Sequence, residues 1–143
     1  MRAVIDASVA AKWFNKEEYS KEAVALKEAY VEGFIELMAP IHLIYEVGNS
    51  IWKNRQLDVK DASKAVSLLL NLDLNLLEPT AGDLERAMEI AREVDITFYD
   101  ALYVQLAEKY RVKLITADNE QVKKSKGIID VIHIKDFSAG KRV

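Results

Sequence analysis

Five short, largely apolar runs recur along the chain, each separated from the next by one or two amphipathic stretches, and that alternation restricts the fold more than any single motif. The runs are Ala3–Ile5, Ile35–Ala39, Leu74–Leu77, Lys113–Thr116 and Ile128–Ile132. Short continuous apolar runs bounded by turn signals read as strands covered on both faces. Between them the apolar spacing is helical. A short helix is expected from Val9 to about Phe14, ended by Asn15, and a second from Glu17 to about Glu32 with Ala23, Leu26 and Tyr30 inward. Gly33 is its expected terminator, and Pro40 closes the second strand. A helix from His42 to Asn54 places Ile44, Val47 and Ile51 on one face, and the next carries Val59, Ala62, Val66 and Leu69. Pro79 and Thr80 turn into a helix with Leu84, Ala87, Met88, Ala91 and Val94 inward. Thr97 opens another, with Leu102, Leu106, Ala107 and Tyr110, and a short helix follows from Asn119 to Lys124. Strands alternating with helices imply an α/β sandwich whose sheet is mostly parallel.

Composition narrows the function. A chain of 143 residues, half of them apolar, is expected to form one domain, 1–143, around one core, with the small, basic tail 138–143 frayed. The absence of cysteine excludes disulfides, thiolate metal sites and a cysteine nucleophile, so any metal must be held by oxygen or imidazole. Asp6 and Lys12 interrupt the first apolar run before a signal peptide could form, and no run approaches the ~20 residues of a membrane span, so a cytoplasmic protein is expected. A net charge of −3 argues against coating nucleic acid by bulk attraction. A mildly basic rim around an acidic centre remains compatible with it.

In parallel sheets, ligands bind beyond the carboxyl ends of the strands, where strand order reverses. Asp6 ends the first strand and Asp118 follows the fourth, so the two become neighbours if those strands are adjacent. Glu46 lies about one turn into the helix after strand two, and Asp100 in the first turn of the helix leading to strand four. Each acid also has a structural reading. Asp100 stands three after Thr97, as in a capping box; Asp118 can cap the helix after it with Gln121; Glu46 can be solvated surface. Asp6, at the end of a buried strand, needs a partner or a role. Four carboxylates in one crevice repel one another unless a cation neutralises them. Their oxygens suit magnesium or manganese, and such a site suits attack of water on a phosphodiester.

Val4-Ile5-Asp6-Ala7-Ser8, Glu46-Val47-Gly48-Asn49, Tyr99-Asp100-Ala101 and Thr116-Ala117-Asp118-Asn119, in that order, resemble the motifs of the PIN-domain ribonucleases, and more narrowly of the VapC toxins of toxin–antitoxin pairs. The resemblance runs from Ala3 to about Ile134. It implies a three-layer α/β/α sandwich with a five-stranded parallel sheet in the order 3-2-1-4-5. It also implies that Asp6, Glu46, Asp100 and Asp118 act as catalytic Mg2+ or Mn2+ ligands in an endoribonuclease leaving a 5′-phosphate and a 3′-hydroxyl. A homodimer restrained by a cognate VapB-like antitoxin is implied as well. Some members carry a further acid where this chain has Asn119, which puts a second metal site in question.

Ser8, Asn49 and Thr116 lie beside the acids and can orient a carboxylate; Ser8 can also serve as a helix N-cap. His42, four before Glu46, reads as a capping or rim residue rather than a ligand, and His133 has no carboxylate nearby in sequence. Lys12, Lys123 and Lys124, with Lys53, Arg55 and Lys126, are candidate RNA phosphate contacts. Trp13, Phe14 and Trp52 are expected in the core or a dimer contact. Two other readings compete: a non-catalytic PIN-like module that binds RNA or protein, and another magnesium-dependent α/β phosphohydrolase. Against the latter, Ser8 stands where haloacid-dehalogenase-like enzymes need a second aspartate, and no P-loop is present.

Overall fold

The computed structural model describes residues 1–138, so the tail beyond Ser138, where fraying is expected, lies outside the described residues. Five strands form one sheet in the order β3-β2-β1-β4-β5, every pair parallel. They are β1 (Arg2–Ile5), β2 (Glu36–Pro40), β3 (Asn75–Leu77), β4 (Lys113–Thr116) and β5 (Val131–His133). The helices among the described residues are α1 (Ala7–Ala10), α2 (Ser20–Val31), α3 (Leu43–Lys53), α4 (Val59–Asn71), α5 (Ala81–Val94), α6 (Phe98–Tyr110) and α7 (Asn119–Ser125). The central strand β1 is apolar and fully buried from Ala3 to Ile5. Its Ile5 pairs with Ile115 of β4, so the residues after each strand, Asp6 and Ala117–Asp118, emerge side by side. Because β1 connects to β2 on one side while β4 lies on the other, this edge is the point where strand order reverses.

Helix α6 lies across β1, β2 and β4 and is buried continuously from Ala101 to Ala107, while α5 packs on α6. That arrangement explains a departure from the expected pattern of α5. The buried face takes Ala87, Ile90 and Ala91 and leaves Leu84 39% and Met88 47% exposed. In α4 the stripe against α3 runs through Ala65 and Leu69, so Val59 and Val66 face outward. In α3 it is Leu43, with Val47 and Ile51, that is fully buried, and Ile44 only partly so.

Several boundaries also move. The first helix is a single α-turn continued as a 3-10 turn through Trp13. Helix α2 begins at Ser20 rather than Glu17, because Tyr19 takes a left-handed conformation at φ 66°. Pro40 is the last residue of β2, so it closes the strand as expected while still pairing with Leu77 of β3. Gly33, at φ +83°, terminates the second helix as expected from its freedom to adopt that conformation. The fifth strand starts at Val131, since the Ile128 and Ile129 amides are taken by the Ser125 carbonyl in the turn after α7. Trp52 is 59% exposed, with the Arg55 guanidinium over its ring, so it is not a core residue. Trp13 and Phe14 do pack against the core, and the Trp13 indole donates to the Ala23 carbonyl.

Candidate active site

Asp6 is the first residue past β1, and its extended backbone lets its side chain cap α1 by accepting from the Ser8 amide. Asp6, not Ser8, is therefore the N-cap. The Ser8 hydroxyl instead donates to Asp6 Oδ1 and accepts from the Ala117 amide at 2.8 Å. Thr116 does the same from the other side, donating to Asp6 Oδ2 and accepting from the Asp118 amide at 3.1 Å. Two hydroxyls thus relay the turn after β4 onto both oxygens of one carboxylate. His133 secures that turn from β5. Its Nε2 donates to the Ala117 carbonyl at 3.1 Å, and its Nδ1 accepts from the Lys135 amide.

The Asp6 carboxyl is 5% exposed, and burial pushes its pKa up to about 6, against the lowering effect of the Ser8 and Thr116 hydroxyls; Asp100 nearby adds to the rise. Asp100 is also raised, by burial and then by the charges of Glu46 and Asp118, in spite of its hydrogen bond with Thr97. The charges of Glu46 and Asp118 thus act on Asp100, and that of Asp100 acts on Asp6. Glu46 goes the other way. Burial pushes it up, but hydrogen bonds from His42 and Tyr103 prevail and hold it below the usual carboxylate range.

An open cleft of about 420 Å³ lies over this edge, lined by Ala7, Ser8, Ala11, Lys12, Glu17, Glu46, Ser50, Ala117 and Asp118. Of the expected phosphate contacts, Lys12 lines it. Lys124 is instead tied to the Asp95 carbonyl and Glu120, and Lys123 is exposed on α7. Asn49 is exposed on α3 and makes no side-chain hydrogen bond to the described residues; Asn119 is exposed at the start of α7. Asp118 caps α7 through the Glu120 amide, and Gln121, rather than completing a capping box, is buried and donates to the Asp100 carbonyl. His42 makes no side-chain cap. Its Nε2 sits 3.1 Å from Glu46 Oε1. The sequence reading missed Tyr103, whose hydroxyl donates to Glu46 Oε1 at 2.7 Å; its position three after Asp100, on the same helix face, was the available signal.

The donor chemistry suits a hard divalent cation. All four acids offer oxygen, one is buried with an unfavourable charge, and no thiolate or free imidazole competes. Among the described residues no three acids or histidines converge tightly enough to grip an ion directly.

The chain is thus an α/β domain with Asp6 and Asp118 following adjacent strands at the switch point of an all-parallel sheet. The PIN domain family matches residues 3–127, and the chain belongs to that family. The chain is 39% identical over 100 residues, 67% of this chain and 73% of the relative, to Exonuclease VapC9 of Pyrobaculum aerophilum. It is 31% identical over 134 residues to Ribonuclease VapC3 of the same organism, spanning 90% of this chain and 98% of that one. A toxin–antitoxin complex from Klebsiella pneumoniae shares the fold at a TM-score of 0.66, with 18% identity over 92% of this chain and 97% of that one.

Proposed function

We propose that this protein is a divalent-metal-dependent endoribonuclease and the toxin of a toxin–antitoxin pair. The observation that carries the reading is Asp6: a carboxylate buried at the β1–β4 crevice, raised to about 6, with Asp100 close enough to repel it. Burying such a group without a function is costly. The two VapC relatives are named as nucleases, and the Klebsiella neighbour as a toxin–antitoxin complex, which supports both halves of the proposal.

The residues divide the work. Asp6, Glu46, Asp100 and Asp118 are the proposed ligands of Mg2+ or Mn2+. When bound, the cation lowers the pKa of water and stabilises the leaving oxygen. Ser8 and Thr116 fix the Asp6 oxygens, and through them the Asp118 backbone. Lys12, at the cleft wall, meets a phosphate of the RNA strand. Water attacks phosphorus, the P–O3′ bond breaks, and the products carry a 5′-phosphate and a 3′-hydroxyl. A cognate VapB-like antitoxin covering this cleft, and a homodimeric toxin, complete the reading.

The test is a circular RNA, which only an endonuclease can open. The native protein is expected to linearise it with manganese or magnesium and to stop on chelation; Asp6→Asn is expected to abolish cleavage. Cleavage of linear RNA alone would make the enzyme an exonuclease, and full activity of Asp6→Asn would remove Asp6 from the mechanism.

A further inference from the structure

We infer that Tyr103 and His42 are positioning residues that hold Glu46 against Asp100 and leave one Glu46 oxygen free for the cleft. The inference rests on the reading of Glu46 as a cation ligand. Helix α6 is tied to Glu46 directly through Tyr103 and indirectly, through His42, at Tyr99. One turn past Asp100, the Tyr103 hydroxyl donates to Glu46 Oε1 at 2.7 Å. Immediately before Asp100, the Tyr99 carbonyl lies 3.2 Å from His42 Nε2, and the same nitrogen is 3.1 Å from Glu46 Oε1. Both neighbours of that nitrogen are acceptors, so it carries the hydrogen and shares it between them. The imidazole is wedged between the two tyrosine rings, with centroids 5.6 Å from Tyr99 and 4.7 Å from Tyr103.

The arrangement has a physical purpose. The charge of Glu46 disfavours that of Asp100, and an unrestrained glutamate, with three rotatable bonds and a side chain 36% exposed, would swing into solvent. Oε1 takes both donors, so the carboxylate is oriented while Oε2 has no protein partner among the described residues. Tyr103 is suited to this work because it is 1% exposed: its ring is locked by packing and its hydroxyl has no freedom to turn to water. Removing a partner that orients a ligand in this manner typically costs about 10–100-fold in metal affinity.

The test uses the full chain and manganese alone, with bound ion measured by calorimetry or by the electron paramagnetic resonance of free Mn2+. Tyr103→Phe keeps the packed ring and removes only the hydroxyl. It is expected to weaken manganese binding about tenfold, and its RNA cleavage is expected to recover at high manganese. His42→Ala removes a side chain that is 12% exposed and packed between Tyr99 and Tyr103, and it is expected to weaken binding in the same direction. Glu46→Gln serves as the control on the ligand reading, with loss of affinity that excess manganese does not restore in cleavage. Native affinity in both Tyr103→Phe and His42→Ala, with Glu46→Gln impaired, would overturn the positioning role alone. Native affinity in Glu46→Gln would overturn the ligand assignment on which it stands. If Tyr103→Phe unfolds, His42→Ala decides, and its native affinity would overturn the positioning role.

Discussion

At the scale of single residues, Asp6 carries the clearest physical signature. Its raised pKa means that the folded protein binds more protons than the unfolded chain between the ordinary aspartate value and about 6. Stability of the metal-free protein is therefore fully present at the acid end of that window and falls as pH rises through it. The expected loss is at most about 3 kcal/mol, from ~1.4 kcal/mol for each tenfold change in proton affinity. Asp6→Asn removes the buried charge while keeping a side chain that the Ser8 and Thr116 hydroxyls can partner. It should raise the melting temperature of the metal-free protein at neutral pH by several degrees, and a lower melting temperature would show that the carboxylate is not strained there. Thr116→Val acts in the opposite sense. It leaves Asp6 Oδ2 and the Asp118 amide without their shared hydroxyl, so a loss of about 1–3 kcal/mol is expected in chemical denaturation. The pairing of Ser8 and Thr116 with Asp6 was legible in the sequence, because all three sit at strand and helix ends where chain direction dictates placement. Sequence alone did not identify Tyr103, His133 or Gln121, whose roles arise only from contacts between elements far apart in the chain.

At the scale of elements, most of the scaffold was legible because the strands of a buried parallel sheet are apolar on both faces and need no partner to be recognised. β4 falls at Lys113–Thr116 as its pattern indicates, and β1 and β2 shift by a residue. Helix faces were less legible. Whether Leu84 and Met88 or Ala87 and Ile90 turn inward depends on α6 already occupying the face of the sheet, which periodicity along α5 does not contain. The ends of α5 and α6 also hold residues in a left-handed conformation, Asp95 at φ 58° and Arg111 at φ 55°. A side chain is disfavoured there, and Arg111→Gly should stabilise the protein by about 0.5–1 kcal/mol, the balance of relieved strain over glycine's unfolded-state entropy. Equilibrium urea denaturation checks it, and an unchanged or lower midpoint would mean that Arg111 contributes contacts worth as much as the strain.

At the scale of the whole molecule, the chain carries a net charge of only −3, and among the described residues no helix is long and apolar enough to cross a membrane. A cation bound by the folded state alone should raise overall stability by mass action: about 2.7 kcal/mol at a concentration of 100 times its Kd. For a chain of this size that is a melting-temperature rise of roughly 5–10 °C. The rise should vanish in Asp6→Asn and Asp100→Asn, and its persistence in both would place the ion elsewhere. The most direct measurement of the central claim, that four acids at the β1–β4 crevice serve one cation site, is an anomalous difference map from crystals grown with manganese. The account predicts a peak between Asp6 and Asp100, with Glu46 and Asp118 bordering it directly or through water. A map without a peak at that edge, or with its manganese held by other residues, would contradict it.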